Sequence, residues 1–459
     1  MRAEHMSTET EKKPPEVPAK ARQGGEAAVP AARQWDWVEP SVWTERMLQA
    51  LEQGVKGGVW YSLMDKVWSP RNLYAAAERV RKNHGAAGVD HVSVEEFHRR
   101  LEANLQHLHE DLRTNCYRPQ EIRRVFIPKP GSAEKRPLGI PTVRDRVVQT
   151  ALRNVLEPIF EKGFAAHSYG FRPGRSCKDA LRRMDALLKQ GQHWVVDADL
   201  KGYFDSIPHA PLLAQVRRKV ADQGVLSLLE AFLHAKVMAD VSWEPEEGTP
   251  QGGVISPLLA NLYLDPLDQV MAGAGYDMVR YADDFVVLCR DEATARQALA
   301  AITEWTTSAG LTLHPTKTRL VDVMNSDGFD FLGYHFQVSR IKPGKINRWP
   351  RKKSLQKFKD RVRDATRRCH GQSLEQIITT LNRALRGFFA YFQHSNKSTF
   401  QELDGWIRMR LRSILRKRQK RKGAGRGRDH QRWPNIYFSS LGLFSMTEAR
   451  ALCLRSCCR

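Results

Sequence analysis

The acidic residues in two short segments are what this sequence offers for chemistry. Trp194-Val195-Val196-Asp197-Ala198-Asp199-Leu200 is a compact β-run, and a period of two puts Asp197 and Asp199 on one strand face. Spacing alone does not choose between them. About 80 residues on, Met278-Val279-Arg280-Tyr281-Ala282-Asp283-Asp284-Phe285-Val286-Val287-Leu288 reads as a hairpin whose two β-rich runs meet at an aspartate pair. Taken alone, such a pair is most often a turn held by local side-chain bonds. Acidic groups on a short central strand are costly unless paired or metal-bound, so a second carboxylate segment upstream turns the reading toward a cation site.

Several elements must position these groups. Gly248-Thr249-Pro250-Gln251-Gly252-Gly253-Val254-Ile255-Ser256-Pro257 lies between the two segments. Ser256 reads as an N-cap with Pro257 at the first helical position, Gly252 and Gly253 let backbone approach a ligand, and Gln251 offers an amide. After the aspartate pair, Asp291 to Ser308 forms an amphipathic helix with Ala295, Leu299, Ile302 and Trp305 on one face and Gly310 as its stop. Lys317 and the strand-turn element Phe329 to Phe336 follow. Strand, helix, strand pair, helix, strand is the order of a split βαβ sheet with helices on one face. Upstream, Arg123 to Pro128 and Lys135 to Pro141 read as a hairpin carrying Lys129, Lys135 and Arg136, with Arg144 and Arg146 beyond it. If that hairpin overhangs a nucleotide, Arg136 and Arg144 can hold a triphosphate by charge-assisted hydrogen bonds.

The 459 residues, 41% hydrophobic, allow roughly two to four domains. Neither a long apolar run nor a basic-then-apolar N-terminus is present, and seven scattered cysteines fit reduced thiols in a cytoplasm. Cys453, Cys457 and Cys458 lack a second ligand pair for zinc. Residues 1–34 are poor in bulky apolar side chains and are expected to be disordered. The net charge of +22 is concentrated: Ile341 to Arg432 holds 27 Lys+Arg against 6 Asp+Glu. So much like charge on one segment is the footprint of a phosphate-binding surface. Within it, Ser373 and Gln376 form a capping box opening a helix whose Leu374, Ile377, Ile378, Leu381, Leu385, Phe388, Phe389 and Phe392 make one apolar face. A second helix is expected to bury Trp406, Ile407, Leu411, Ile414 and Leu415 and to present Arg408, Arg412 and Arg416 as the contacts to phosphate.

In combination these segments resemble the reverse-transcriptase motif series, and from about Trp60 to Leu443 the chain is similar to bacterial group II intron reverse transcriptases/maturases. The resemblance implies an α+β, right-hand polymerase with fingers and a split βαβ palm, followed by an α-helical thumb/maturase domain. It divides the chain into 35–190 (N-terminal extension and fingers), 191–340 (palm), 341–432 (basic thumb/maturase) and 433–459 (a short C-terminal segment without an endonuclease). It makes Asp199, Asp283 and Asp284 catalytic, with Leu200 beside them at a site for two Mg²⁺ ions. Asp197 is left as a neighbour. Phe204 corresponds to the aromatic that excludes a 2′ hydroxyl, Gln251 and Gly252 to the nucleotide site, Lys317 to a lysine near the leaving pyrophosphate, and Phe331, Leu332 and Gly333 to the primer grip. Ser168 to Ser176 resembles the template-side motif. The implied function is RNA-directed DNA synthesis with assistance to group II intron splicing and mobility. Its implied partners are intron RNA, an RNA template with a DNA primer, dNTPs and a DNA target, in a bacterial cytoplasm and without a membrane. The alternatives are a splicing cofactor with an unused polymerase site and a reverse transcriptase domesticated for repair or defence.

Overall fold

The β-branched and aromatic runs become the strands that carry the acidic residues. The computed structural model describes residues 35–128, 135–235, 237–238, 247–249, 252–325, 328–339, 345–367, 371–423 and 425–456. Residues 1–34 and Gln251 therefore lie outside the described residues. Met1–Trp37 and Val38–Arg459 are two units, and the candidate site belongs wholly to the second.

Strands β1 (Ile122–Pro128) and β2 (Lys135–Ile140) form the expected antiparallel hairpin, with the short β4 (Val237–Met238) parallel to β1 on its other side. Between the hairpin and the acidic strands come α1 (Val143–Glu161), nearly all of it buried, and α2 (Cys177–Lys189), opened by the capping box of Ser176 and Asp179. The acidic strands β3 (Trp194–Asp199), β5 (Asp277–Tyr281), β6 (Asp284–Cys289) and β7 (Arg319–Asp322) make one sheet of order β5-β6-β3-β7, antiparallel at every pairing. Helices α3 (Ser256–Gly273) and α4 (Glu292–Ser308) are the two crossovers.

Alternation splits the faces of this sheet. Helix α4 lies along β3, β6 and β7, its N-cap Asp291 accepting from Thr294 N. Its buried stripe is Ala295, Ala298, Ile302 and Thr306, whereas Leu299 and Trp305 are only half-buried. The small residues let the helix sit close to the sheet and leave the bulkier ones at its edge. A second difference concerns α3, whose N-cap is Ile255 rather than Ser256, which is already helical.

On the other face Val195, Val286 and Leu288 share one core with a second sheet of β8 (Phe329–Phe331), β9 (Tyr334–Val338) and β10 (Ile346–Pro350), and with helices α5 (Lys352–Ala365), α6 (Leu374–Phe392) and α7 (Lys397–Arg418). Phe358 and Phe388 stack at its centre with centroids 4.0 Å apart. The boundary expected at 340/341 thus runs through a continuous core. Helix α6 follows its sequence reading closely: the Ser373–Gln376 box is formed and all eight apolar positions are buried. Helix α7 buries Ile407, Leu411 and Ile414, but it buries Arg412 as well.

Candidate active site

The aspartate pair owes its position to a two-residue turn. Tyr281 pairs with Asp284, leaving Ala282 and Asp283 at the tip. Ala282 has φ +60°, the left-handed geometry that matches the twist of a tight hairpin but costs a residue with a Cβ roughly 1 kcal/mol. The surroundings hold it there. Arg280 donates through Nη1 to the Ala282 carbonyl at 2.9 Å and to Asn261 Oδ1 at 2.9 Å, and its Nε meets Asp268 Oδ1 at 2.8 Å. Both Arg280 and Asp268 are fully buried. Asn261 in turn donates to the Gly170 carbonyl at 2.8 Å, and a Cβ at Gly170 would lie 2.1 Å from Ala282 N. Only glycine lets that loop back the turn.

The carboxylates then meet by register. Asp199 stands directly opposite Asp284 on the β3–β6 ladder, and cross-strand partners share a face. Asp197, two residues back, sits between Val286 and Arg319. Arg319 Nε bonds Asp197 Oδ2 at 3.1 Å, and Lys317 Nζ bonds Asp199 Oδ2 at 2.7 Å. Asp197 thus faces Arg319 of β7, whereas Asp199 lies level with the hairpin tip.

Burial, reinforced by Asp197, Asp283 and Asp199, pushes the Asp284 carboxyl up to about 7. Among the described residues no group of three His, Cys, Asp or Glu is drawn together tightly enough to hold a metal; Lys317 and Arg319 each take up one carboxylate instead. The donors nevertheless fit a hard divalent cation, being oxygen ligands whose mutual repulsion a cation would relieve. A pH dependence follows. A carboxyl raised in the folded state favours folding while protonated, so this contribution is present at low pH and is lost as pH rises from about 4 through about 7. We therefore expect Mg²⁺ to raise the melting temperature more at pH 8 than at pH 5, measured by calorimetry in the two buffers; an equal rise at both would contradict the carboxylate assignment.

The remaining sequence-predicted residues fare unevenly. Phe204 follows β3 on a single 3-10 turn, its ring edge-on to Tyr203 at 5.7 Å. Tyr203 is buried and donates to the Ala260 carbonyl at 2.6 Å, which fixes the platform under Phe204. Leu200 continues β3 as a bridge partner of Leu313. Gly252 does make a close backbone approach, but to protein: a Cβ there would fall 2.1 Å from the Gly139 carbonyl of β2. Arg136 is on β2 opposite Ile127. Arg144 is engaged by Asp111 and lies over the Tyr117 ring at 5.0 Å, so it is not a free cation. In the Ser168 to Ser176 stretch, Arg172 is buried against Glu161 and so is a structural residue. Phe331, Leu332 and Gly333 do form the β8–β9 turn, with Leu332 at φ +46°. Tyr391 Oη donates to the Leu332 carbonyl at 2.7 Å, and Arg351 N to that of Gly333 at 2.9 Å.

The three thumb arginines separate. Arg412 is 1% exposed and donates to the Trp433 carbonyl and Asn435 Oδ1, both at 2.9 Å, so it ties the C-terminal segment to α7 and is not an RNA contact. Arg416 pairs with Asp429 at 2.9 Å. Arg408 is half-buried. Sequence reasoning missed Arg280, Asp268 and Tyr391. A charged residue inside the apolar strand Met278-Val279-Arg280 was the one available signal.

An acidic antiparallel sheet with helical crossovers on one face, preceded by a basic hairpin, is the framework of a template-directed polymerase, and the family profile of the reverse transcriptases (RNA-dependent DNA polymerases) matches residues 127–336. The group II intron maturase-specific domain matches residues 355–433. Protein YkfC of Escherichia coli (strain K12) is 32% identical over 356 residues, covering 68% of this chain and 88% of YkfC. The group II intron-encoded protein LtrA of Lactococcus lactis subsp. cremoris is 38% identical over 203 residues, covering 44% of this chain and 33% of LtrA. A solved partial Cas6-RT-Cas1--Cas2 complex is similar at 25% identity with a TM-score of 0.35, over 54% of this chain and 41% of that one. The chain belongs to the group II intron reverse transcriptase/maturase family. No helix among the described residues is long and apolar enough to cross a membrane.

Proposed function

We propose that the protein extends a DNA primer on an RNA template by nucleotidyl transfer at Asp199 and Asp283, and that its basic helical half holds group II intron RNA during splicing and mobility. The observation that carries the reading is the register of Asp199 against Asp284 beside a hairpin tip clamped by Arg280. Two Mg²⁺ ions, when bound, would activate the primer 3′ hydroxyl and stabilise the leaving oxygen. Asp199 and Asp283 would hold them, with Asp284 and the Leu200 main chain alongside. The ammonium of Lys317, now on Asp199, would turn to the departing pyrophosphate once cations take the carboxylates. Phe204, stiffened by Tyr203, would close the space a 2′ hydroxyl needs. Arg136 would meet the triphosphate, and Arg144 would have to exchange Asp111 for phosphate. The Phe331 to Gly333 turn, anchored through Tyr391, would grip the primer.

Primer extension on an RNA template tests this. DNA product should require Mg²⁺ and deoxynucleotides; extension without the cation, or equally fast with ribonucleotides, would refute it.

For RNA, the exposed cations in the last turn of α7 and just beyond it replace Arg412 and Arg416 as the contacts: Lys417, Lys420, Arg421 and Lys422 are all open to solvent. Changing these four to alanine should flatten the plot of log affinity against log salt by about 3. Arg412→Ala should leave that slope unchanged and lower the melting temperature. Filter binding over a salt series, with a parallel melt, separates the two outcomes.

A further inference from the structure

A cleft of about 180 Å³ lies among α2, β9, β10 and the C-terminal end of α6. Of the residues around it only Tyr391, through its bond to the Leu332 carbonyl, bears on the polymerase site. Its walls are of two kinds. Leu181 and Tyr391 give it partly exposed apolar and aromatic surface over the buried rings of Tyr334 and Phe336, while Lys178, Arg182 and Arg348 bring three cations beside Asp185.

That charge is poorly compensated. Asp185 is shared between Lys189 at 2.8 Å and Arg348 at 3.2 Å. Among the described residues Arg182 pairs with Asp179 alone, its side chain 71% exposed. Lys178 makes no ion pair among the described residues. The field is felt by the neighbouring imidazole: burial first, then Arg348, Arg182 and Lys178, hold His394 toward its neutral form.

An inorganic anion would use the cations and leave the aromatic wall idle. A hydrocarbon would use the wall and bury uncompensated charge. A planar base carrying a phosphate uses both, through stacking, cation–π contact and charge-assisted hydrogen bonds. We propose that this cleft is a second nucleotide-binding site, taking a nucleobase against Leu181 and Tyr391 and its phosphate on Lys178, Arg182 and Arg348. The chemistry is the same for a free mononucleotide and for one nucleotide of a single strand. Since Tyr334 Oη donates to the Tyr391 carbonyl and Tyr391 Oη to Leu332, each at 2.7 Å, an occupant would touch the pair of side chains that anchors the β8–β9 turn.

The test uses the full chain in EDTA, so that a metal-dependent nucleotide complex in the acidic cleft does not form. Fluorescent etheno-AMP is titrated against the parent, against Lys178→Glu/Arg182→Glu and against Leu181→Trp, which fills the cleft without touching its charge. A short single-stranded RNA containing 4-thiouridine is photo-crosslinked in parallel. The proposal expects both variants to bind at least tenfold more weakly while their Mg²⁺-supported primer extension stays at the parent level, which also shows that they fold. Etheno-AMP binding without crosslinks to Cys177–Lys189 identifies a free nucleotide as the ligand. Crosslinks there, lost in both variants, identify a strand. Undiminished binding in the variants, or inorganic phosphate competing as well as AMP, overturns it.

Discussion

Asp283→Ala protein is expected to lose deoxynucleotide incorporation by at least about 1,000-fold, the effect of removing several kcal/mol of cation-borne stabilisation from the transition state. Its affinity for RNA should be nearly unchanged. The two readouts divide because the acidic residues lie on β3 and the β5–β6 hairpin, whereas the exposed cations lie at the C-terminal end of α7 and just beyond it. Ala282 and Asp283 are the turn residues, and the turn is held by main-chain contacts to Arg280 and the loop at Gly170, so losing the Asp283 side chain leaves the hairpin in place. Steady-state primer extension and RNA filter binding on one preparation make the comparison. Parallel loss of both would mean that the variant is misfolded or that the division of labour is wrong.

Arg280→Ala is expected to cost about 3–5 kcal/mol of stability, because it strands the Asp268 carboxylate in the interior without its partner. Both residues are fully buried, and Arg280 also satisfies Asn261 and the Ala282 carbonyl. Arg280→Lys keeps the charge but offers a single ammonium where a planar fork serves three acceptors, so it should be intermediate. Because the same guanidinium fixes the turn bearing Asp283, the lysine variant should lose more turnover than its remaining folded fraction explains. Urea denaturation followed by fluorescence gives the first quantity and active-site-normalised extension the second. A stability within about 1 kcal/mol of the parent would remove Arg280 from its place as the clamp.

What could be read in the sequence, and what could not, follows the reach of each interaction. The strands bearing Asp199 and Asp284, the α6 capping box and its eight apolar positions depend on neighbours within a few residues, and all are in place. Helix α4 was right in extent and rotated in detail: periodicity marks an apolar stripe, but closeness to the sheet selects Ala298 and Thr306 over Leu299 and Trp305. Arg412 misled for a different reason. An arginine repeated at four-residue spacing looks solvent-facing, and its acceptors, Trp433 and Asn435, lie on a segment that only the fold brings back. Gly252 was marked for close approach to a ligand, and the approach in place is to the Gly139 carbonyl of β2, which nothing local reveals. The salt bridge between Lys317 and Asp199 spans 118 residues, and no pattern announces it.

Joint ligation of divalent cations by Asp199 and Asp283 is what the proposed chemistry requires. Crystals of the protein with an RNA template, a chain-terminated DNA primer and an incoming dNTP, grown in Mn²⁺, test it by anomalous scattering. Two peaks about 4 Å apart are expected, each within bonding distance of Asp199 or Asp283. Anomalous density absent from between those two side chains, with primer and nucleotide in place, would contradict it.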